Sequence, residues 1–282
     1  MAVWIATDST ADLPEKLVSQ YKILVTPLNV HFGEETLKDG MDIWSDEFYH
    51  RLKNDPFSPS TSQPAPGEFI RVYREVARPG DTIISIHISA RLSGTIDSAR
   101  IAAELLAPDY QVITVDSRST TMGLGLITLA AARLAQTGAG VAAILAAIEA
   151  YCQAITVNFT VTDLEYLHRN GRIGKAGCYL GSLLNIKPLL TLRDGMIMPL
   201  EKIRGNFSKV VERMIADFEA RLGKQPLITS VVSGDAPENA ALLAQVAAAR
   251  LNIIEAYPVV AGPIIGTHTG PSLVGMVAAP LL

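Results

Sequence analysis

Four short apolar runs in the first half of the chain, at residues 3–7, 23–27, 82–88 and 111–116, are separated by stretches with apolar residues at helical spacing, at 65–77, 96–106 and 123–136. Strands that follow one another through helices do not pair by tight hairpins, so the alternation predicts an α/β domain on a largely parallel sheet. Pro66 opens the first of these helices, where its missing N–H leaves nothing unpaired. Three of the strands end in polar clusters: Asp8-Ser9-Thr10, residues 89–95, and Asp116-Ser117-Arg118-Ser119-Thr120-Thr121. In open parallel sheets ligands bind beyond the carboxyl ends of the strands, so these clusters are expected to converge on one rim.

The pattern changes after a helical stretch at 141–152. A strand at 154–160 and a short helix at 163–168 are followed by a strand pair, 189–192 and 196–199, around the turn Arg193-Asp194-Gly195. Asp-Gly between apolar runs is the signal of a tight hairpin. A helix at 207–222, a strand at 227–233, an alanine-rich helix at 237–250, a strand at 253–257, a Gly/Pro loop around His268 and a last strand at 273–278 complete the reading. The expectation is an N-terminal α/β domain, residues 1–153, and a C-terminal α+β domain on a mixed sheet, residues 154–282.

Composition removes several classes. The 282 residues are 49% hydrophobic and 18% charged, which excludes disorder, and two cysteines, Cys152 and Cys178, make no disulfide framework. A net charge of -4 with dispersed Lys and Arg lacks the clustered basic face of a nucleic-acid binder. The first ten residues carry no basic segment and read as a strand, so a cytoplasmic protein is expected. No membrane span is expected: residues 122–132 are too few and stop at Arg133, and 255–282 is broken by Pro258, Pro263, Pro271 and Pro280.

Three constellations could hold an anion. Ser58-Pro59-Ser60-Thr61-Ser62-Gln63-Pro64 reads as a hydroxyl-rich loop whose prolines fix the direction of Thr61 and Ser62, although a solvated turn has the same composition. Ser93-Gly94-Thr95 precedes a helix, so its first-turn amides and positive dipole end suit a carboxylate or phosphate; an ordinary N-cap looks the same. His268 lies in Gly266-Thr267-His268-Thr269-Gly270, where the glycines allow close approach of a ligand, although a lone loop histidine is more often simply solvated.

Other motifs are missing. Gly171-Arg172-Ile173-Gly174-Lys175-Ala176-Gly177 lacks Walker A spacing, and Ala176 stands where a hydroxyl would hold magnesium. There is no G-x-S-x-G elbow and no G-x-G-x-x-G fingerprint after the first strand. His31, His50, His87, His168 and His268 are scattered and neither cysteine has a C-x-x-C partner, so no metal or other cofactor is expected.

Thr7-Asp8-Ser9-Thr10-Ala11-Asp12-Leu13, Ser60-Thr61-Ser62-Gln63-Pro64, residues 89–98, Val115-Asp116-Ser117, residues 164–175 and residues 262–275 together resemble the DegV family. Each signal is weak alone; six in order are specific. The resemblance spans residues 3–281 as one unit. It implies an α/β/α domain with a parallel sheet followed by an α+β domain with a mixed sheet, and a long-chain fatty acid such as palmitate held between the domains. In bacteria with a fatty acid kinase such proteins serve as its acyl-binding subunit (FakB-like). It further implies that Thr61 and Ser93 hydrogen-bond the fatty acid carboxylate with His268 close by, supported by Ser62, Gly94 and Thr95. The small-residue stretches Leu124-Gly125-Leu126-Ile127 and Leu180-Gly181-Ser182-Leu183-Leu184 could line an acyl tunnel or simply pack a core.

Arg169, Arg172, Lys175 and Arg204 form a separate expectation: cations near an incoming phosphoryl group or for docking the kinase's catalytic subunit, with a solvated basic loop as the plain alternative. The leading function is therefore a carrier without catalysis of its own. The alternative is a serine hydrolase or acyltransferase with Ser93 as nucleophile, His268 as base and Asp116 as orienter. A regulatory lipid sensor is a third reading.

Overall fold

The structure is a computed structural model that describes residues 2–180 and 186–281. The chain forms two compact units, Met1–Trp44 with Pro59–Gln153, and Ser45–Ser58 with Ala154–Leu282. The chain passes between the two units after residues 44, 58 and 153. The short excursion 45–58 is invisible to local periodicity, because which unit a segment joins depends on distant packing.

In the first unit, β1 (Val3–Asp8), β2 (Leu24–Thr26), β6 (Thr82–His87) and β7 (Gln111–Asp116) form an all-parallel sheet in the order β2-β1-β6-β7. The chain leaves β1 toward β2 on one side and later returns to β6 on the other. In open parallel sheets ligands bind beyond the carboxyl ends of the strands at such a reversal, which here are β1 and β6. Helices α3 (Pro66–Val76) and α4 (Thr95–Leu106) cover the sheet through Phe69, Val72, Tyr73, Ala99 and Ala102, which pack on Ala6, Leu24 and Ile83. Helix α5 (Met122–Gln136) packs on β1 and buries ten of its residues. That accounts for its membrane-like composition, and no helix among the described residues is long and apolar enough to cross a membrane. Helices α1 (Glu15–Tyr21) and α6 (Val141–Ala154) complete the helical layers.

A second sheet in this unit was not expected. β3 (Asn29–Phe32), β4 (Glu35–Lys38) and β5 (Ser60–Ser62) form a three-stranded antiparallel ribbon in the order β4-β3-β5. The segment read as a proline-pinned loop thus contains a strand. Its hydroxyl composition masks the pairing, which is set by β3 some thirty residues upstream.

The second unit opens with α2 (Ser45–Asn54), also unanticipated. Its strands β8 (Thr156–Thr160), β9 (Ile186–Arg193), β10 (Met196–Arg204), β11 (Leu227–Ser233), β12 (Ile253–Ala256), β13 (Val259–Val260) and β14 (Val274–Pro280) form a mixed sheet. The order is β10-β9-β8-β14-β11-β12, with β13 on β11. The β9–β10 turn places Asp194 at φ 50° and Gly195 at φ 75°, the two left-handed residues an Asp-Gly hairpin demands. Helices α8 (Phe207–Leu222) and α9 (Pro237–Arg250) build its core from Val210, Met214, Phe218 and Leu243 on Leu227 and Met276. Short helices α7 (Glu165–Arg169) and α10 (Pro263–Thr269) complete it. His268 lies on α10, not in the loop expected around it: Pro263 at the helix start and Gly270 just after its end delimit a helix of seven residues, about two turns.

Candidate functional site

Strand β5 brings Thr61 opposite Val30 on β3, and cross-strand partners share a face. Val30 is fully buried, whereas Ser60 and Ser62 are exposed, so Thr61 is on the inward side of the ribbon. Ser62 is occupied within the ribbon: its hydroxyl meets His31 Nε2 at 2.9 Å and accepts from Asn29 Nδ2 at 3.0 Å. The same imidazole reaches Thr36 on β4 through Nδ1 at 2.9 Å, tying the three strands together.

The next residue carries the ribbon to helix α4. Gln63 Nε2 donates to Ser98 Oγ at 3.3 Å, and its side chain lies so close over Gly94 that a Cβ there would stand 2.5 Å from Oε1. Gly94 is the N-cap of α4 and offers no capping side chain; Ser93 Oγ instead accepts from the Thr95 amide at 3.3 Å and meets the Thr95 hydroxyl at 2.8 Å. The hydroxyl-bearing strand and the amide end of a twelve-residue helix therefore meet at Gln63. The strand carries the Thr61 hydroxyl, the loop before the helix carries the Ser93 hydroxyl, and a helix N-terminus is electropositive.

Beneath the rim lies a buried network that sequence reasoning did not find. Asp8 accepts at Oδ1 from the Thr10 amide and hydroxyl, and at Oδ2 from Ile88 N (3.0 Å) and His87 Nδ1 (3.0 Å). With Nδ1 donating, His87 Nε2 is left to accept from Ser85 Oγ at 2.7 Å, and Ser85 to accept from Tyr73 OH at 2.7 Å. All four residues of this chain are fully buried. It has the composition of a catalytic triad, but a hydroxyl sealed at 0% exposure meets no substrate; its effect is to pin the end of β6, from which the Ser93 loop departs. The available signal was alternation along β6, since Ser85 and His87 stand two apart and share a face.

The three polar clusters do converge. Ser89 N donates to Ser119 O and Ser117 N to His87 O, and Thr121 Oγ1 reaches Asp12 Oδ2 at 2.6 Å. Asp116 accepts from Arg118 N (2.8 Å) and Ala90 N (3.3 Å), so its carboxylate closes the loop. Asp39, just after β4, is buried against Ser9; burial first, then the charges of Asp12 and Asp8, raise its pKa well above the usual carboxylate value.

In the second unit His268 is mostly buried on α10. Burial, with the Arg172 cation as second cause, pulls its pKa from 6.5 to about 4, so at neutral pH it is an uncharged imidazole able both to donate and to accept. Gly270 follows with its backbone against the Tyr166 ring. The expected cations spread over different elements. Arg169, the last residue of α7, lies over the Tyr166 ring at 5.3 Å and donates to Ser58 Oγ at 3.1 Å. Arg172 Nη1 donates to Asn170 O at 2.7 Å. Lys175 is exposed in a 3-10 turn (Gly174–Tyr179) and Arg204 is exposed at the end of β10. Of the stretch 180–184, all but Leu180 lies outside the described residues, while Leu124, Leu126 and Ile127 are fully buried in α5. Among the described residues no group of three or more His, Cys, Asp or Glu could hold a metal ion.

Comparison with known proteins places these features in a family. Residues 2–281 match the family model described as "Uncharacterised protein, DegV family". The protein DegV of Bacillus subtilis is 34% identical over 279 residues, covering 98% of each chain. Among solved structures, a DegV family protein of Thermus thermophilus, described for its fatty acid binding, has a TM-score of 0.92 at 36% identity over 100% of both chains. The structure of DegV from Bacillus subtilis, described as a fatty acid binding protein, has a TM-score of 0.89 at 32% identity, again over 100% of both.

Proposed function

The chain belongs to the DegV family, and from that premise we propose that it is a carrier for a long-chain fatty acid. The observation that carries the reading is the junction at Gln63, which brings the Thr61 strand to the amide end of α4. Thr61 and Ser93 donate to the ligand carboxylate, and the uncharged imidazole of His268 is the third contact. Gly94 leaves space for the Gln63 side chain, and Ser62 and Thr95 hold the ribbon and the Ser93 hydroxyl in place. Leaving a buried carboxylate without donors costs several kcal/mol, and hydroxyls, helix amides and an imidazole offset that. The acyl chain contributes through apolar burial, ~0.8 kcal/mol per methylene, so a chain of palmitate length brings on the order of 10 kcal/mol before the losses of association.

The carrier presents this carboxylate to a separate fatty acid kinase subunit, which forms the acyl phosphate. Arg172, beside His268, neutralises the incoming phosphoryl charge; exposed Arg169, Lys175 and Arg204 dock the partner. A cytoplasmic location goes with this reading. Ser93 Oγ is bonded to the hydroxyl and amide of Thr95, and neither is a base, which supports binding over nucleophilic attack.

Native mass spectrometry of the purified protein, with lipid identification after denaturation, tests the reading. A noncovalent long-chain fatty acid, lost in Thr61→Ala/Ser93→Ala, is the expected result; an empty wild type, or a covalent adduct with a serine-directed phosphonate, overturns it. For the kinase step, Arg172→Ala is expected to keep its lipid but lose acyl phosphate formation with an added fatty acid kinase. If both survive, that step is wrong.

A further inference from the structure

We propose that Asn170 is a positioning residue for the proposed carboxylate site: its side-chain amide holds the helix bearing His268, and its main-chain carbonyl holds the Arg172 guanidinium. The inference rests on the carrier reading for its consequence and on geometry alone for its cause.

Helix α10 ends at Thr269, so the carbonyls of its last turn have no helical N–H to accept. Gly270 N takes Gly266 O at 2.8 Å. Thr267 O, on the residue just before His268, is taken by Asn170 Nδ2 at 2.9 Å. The same amide nitrogen donates to Tyr166 O at 3.0 Å, a last-turn carbonyl of α7. An amide has two N–H groups in one plane, and here each ends on a carbonyl at the end of a different helix. Rotating it breaks one bond or both. The two helix ends also abut without slack, because a Cβ on Gly270 would stand 2.5 Å from the Tyr166 ring.

The main chain of Asn170 completes the arrangement by accepting from Arg172 Nη1 at 2.7 Å. The imidazole and the cation beside it are thus both referred to one residue. Neither a carboxylate nor a hydrocarbon of the same shape can replace it: the first presents oxygens to two carbonyls, and the second leaves Thr267 O, on a fully buried residue, without its donor.

The test uses the full chain carrying Asn170→Leu, with His268 followed by NMR titration and palmitate affinity measured alongside. Freed from the amide, α10 and Arg172 separate and water reaches the ring, so the His268 midpoint moves up from about 4 toward 6.5. The expected shift is roughly one pH unit or more, with palmitate bound about tenfold more weakly. Asn170→Gln, which keeps both N–H groups on a longer arm, is expected to restore part of each. A folded Asn170→Leu with the wild-type His268 midpoint overturns the proposal. Should that variant fail to fold, Asn170→Ser is read in the same way. A wild type that binds no fatty acid sinks the carrier reading only, because the His268 titration still decides on Asn170.

Discussion

Gln63 and Gly94 occupy one another's space: the Gln63 amide lies where any side chain at position 94 would begin, 2.5 Å from an ideal Cβ. The contact joins the strand that carries Thr61 to the helix end that carries Ser93. Glycine is among the residues helix N-caps favour, and here its missing side chain also leaves room for Gln63.

Gly94→Ala is expected to leave stability within about 1 kcal/mol of wild type, because φ −77° at this position suits alanine and the obstacle is the far end of an exposed, flexible side chain. Gln63 must swing away and lose Ser98, so the junction opens and bound lipid falls. Thermal unfolding and lipid occupancy, measured on one sample, check both halves. An unchanged occupancy would mean that the junction does not shape the site.

Asp8→Asn keeps the shape and replaces one of the two acceptor oxygens by a donor. Four donors converge on the carboxylate, and an amide oxygen can serve those on one side only while its own N–H groups face the others. The expected destabilisation is about 3–5 kcal/mol, the cost of breaking a buried charge network, read from the urea midpoint at constant slope. A loss below about 1 kcal/mol would show the network to be dispensable.

Asp39 and His268 bend the stability profile in opposite directions. The raised pKa of Asp39 means that its contribution is full below 3.8 and is lost as pH rises through the folded value. The depressed pKa of His268 means that its contribution is full above 6.5 and is lost as pH falls toward about 4. Asp39→Asn keeps an acceptor for Ser9 without the buried charge, so it is expected to be more stable than wild type at pH 7, with the gap closing in acid. Urea midpoints from pH 3 to 8 measure this; a gap that widens toward low pH contradicts the assignment.

Most of the regular elements were readable from local pattern. Helix 207–222, strand 227–233 and helix 237–250 stand at the residues expected, and the Asp194-Gly195 turn is where its composition put it. The misreadings have one cause. Thr61 lies on a strand because Val30 pairs with it, and His268 lies on a helix because Pro263 and Gly270 enclose seven residues too few to show a period. The Asp8–His87 bond spans 79 residues, and the only local trace of its network is the shared face of Ser85 and His87.

The sequence by itself determined most of the strands and helices, though not α1, α2, α10 or the β3–β4–β5 ribbon, that the first sheet is parallel, and that hydroxyl-rich turns stand at the carboxyl ends of its strands, because these show in local pattern. Only the tertiary structure decided that Gln63 closes on Gly94, that Asn170 holds the carbonyl before His268, that Asp39 and the Asp8–His87–Ser85–Tyr73 chain are sealed from water, and that 45–58 joins the second unit. Hydrogen-bond partners and burial are properties of surfaces brought together from distant parts of the chain, and spacing along the chain carries no record of which surface will cover which.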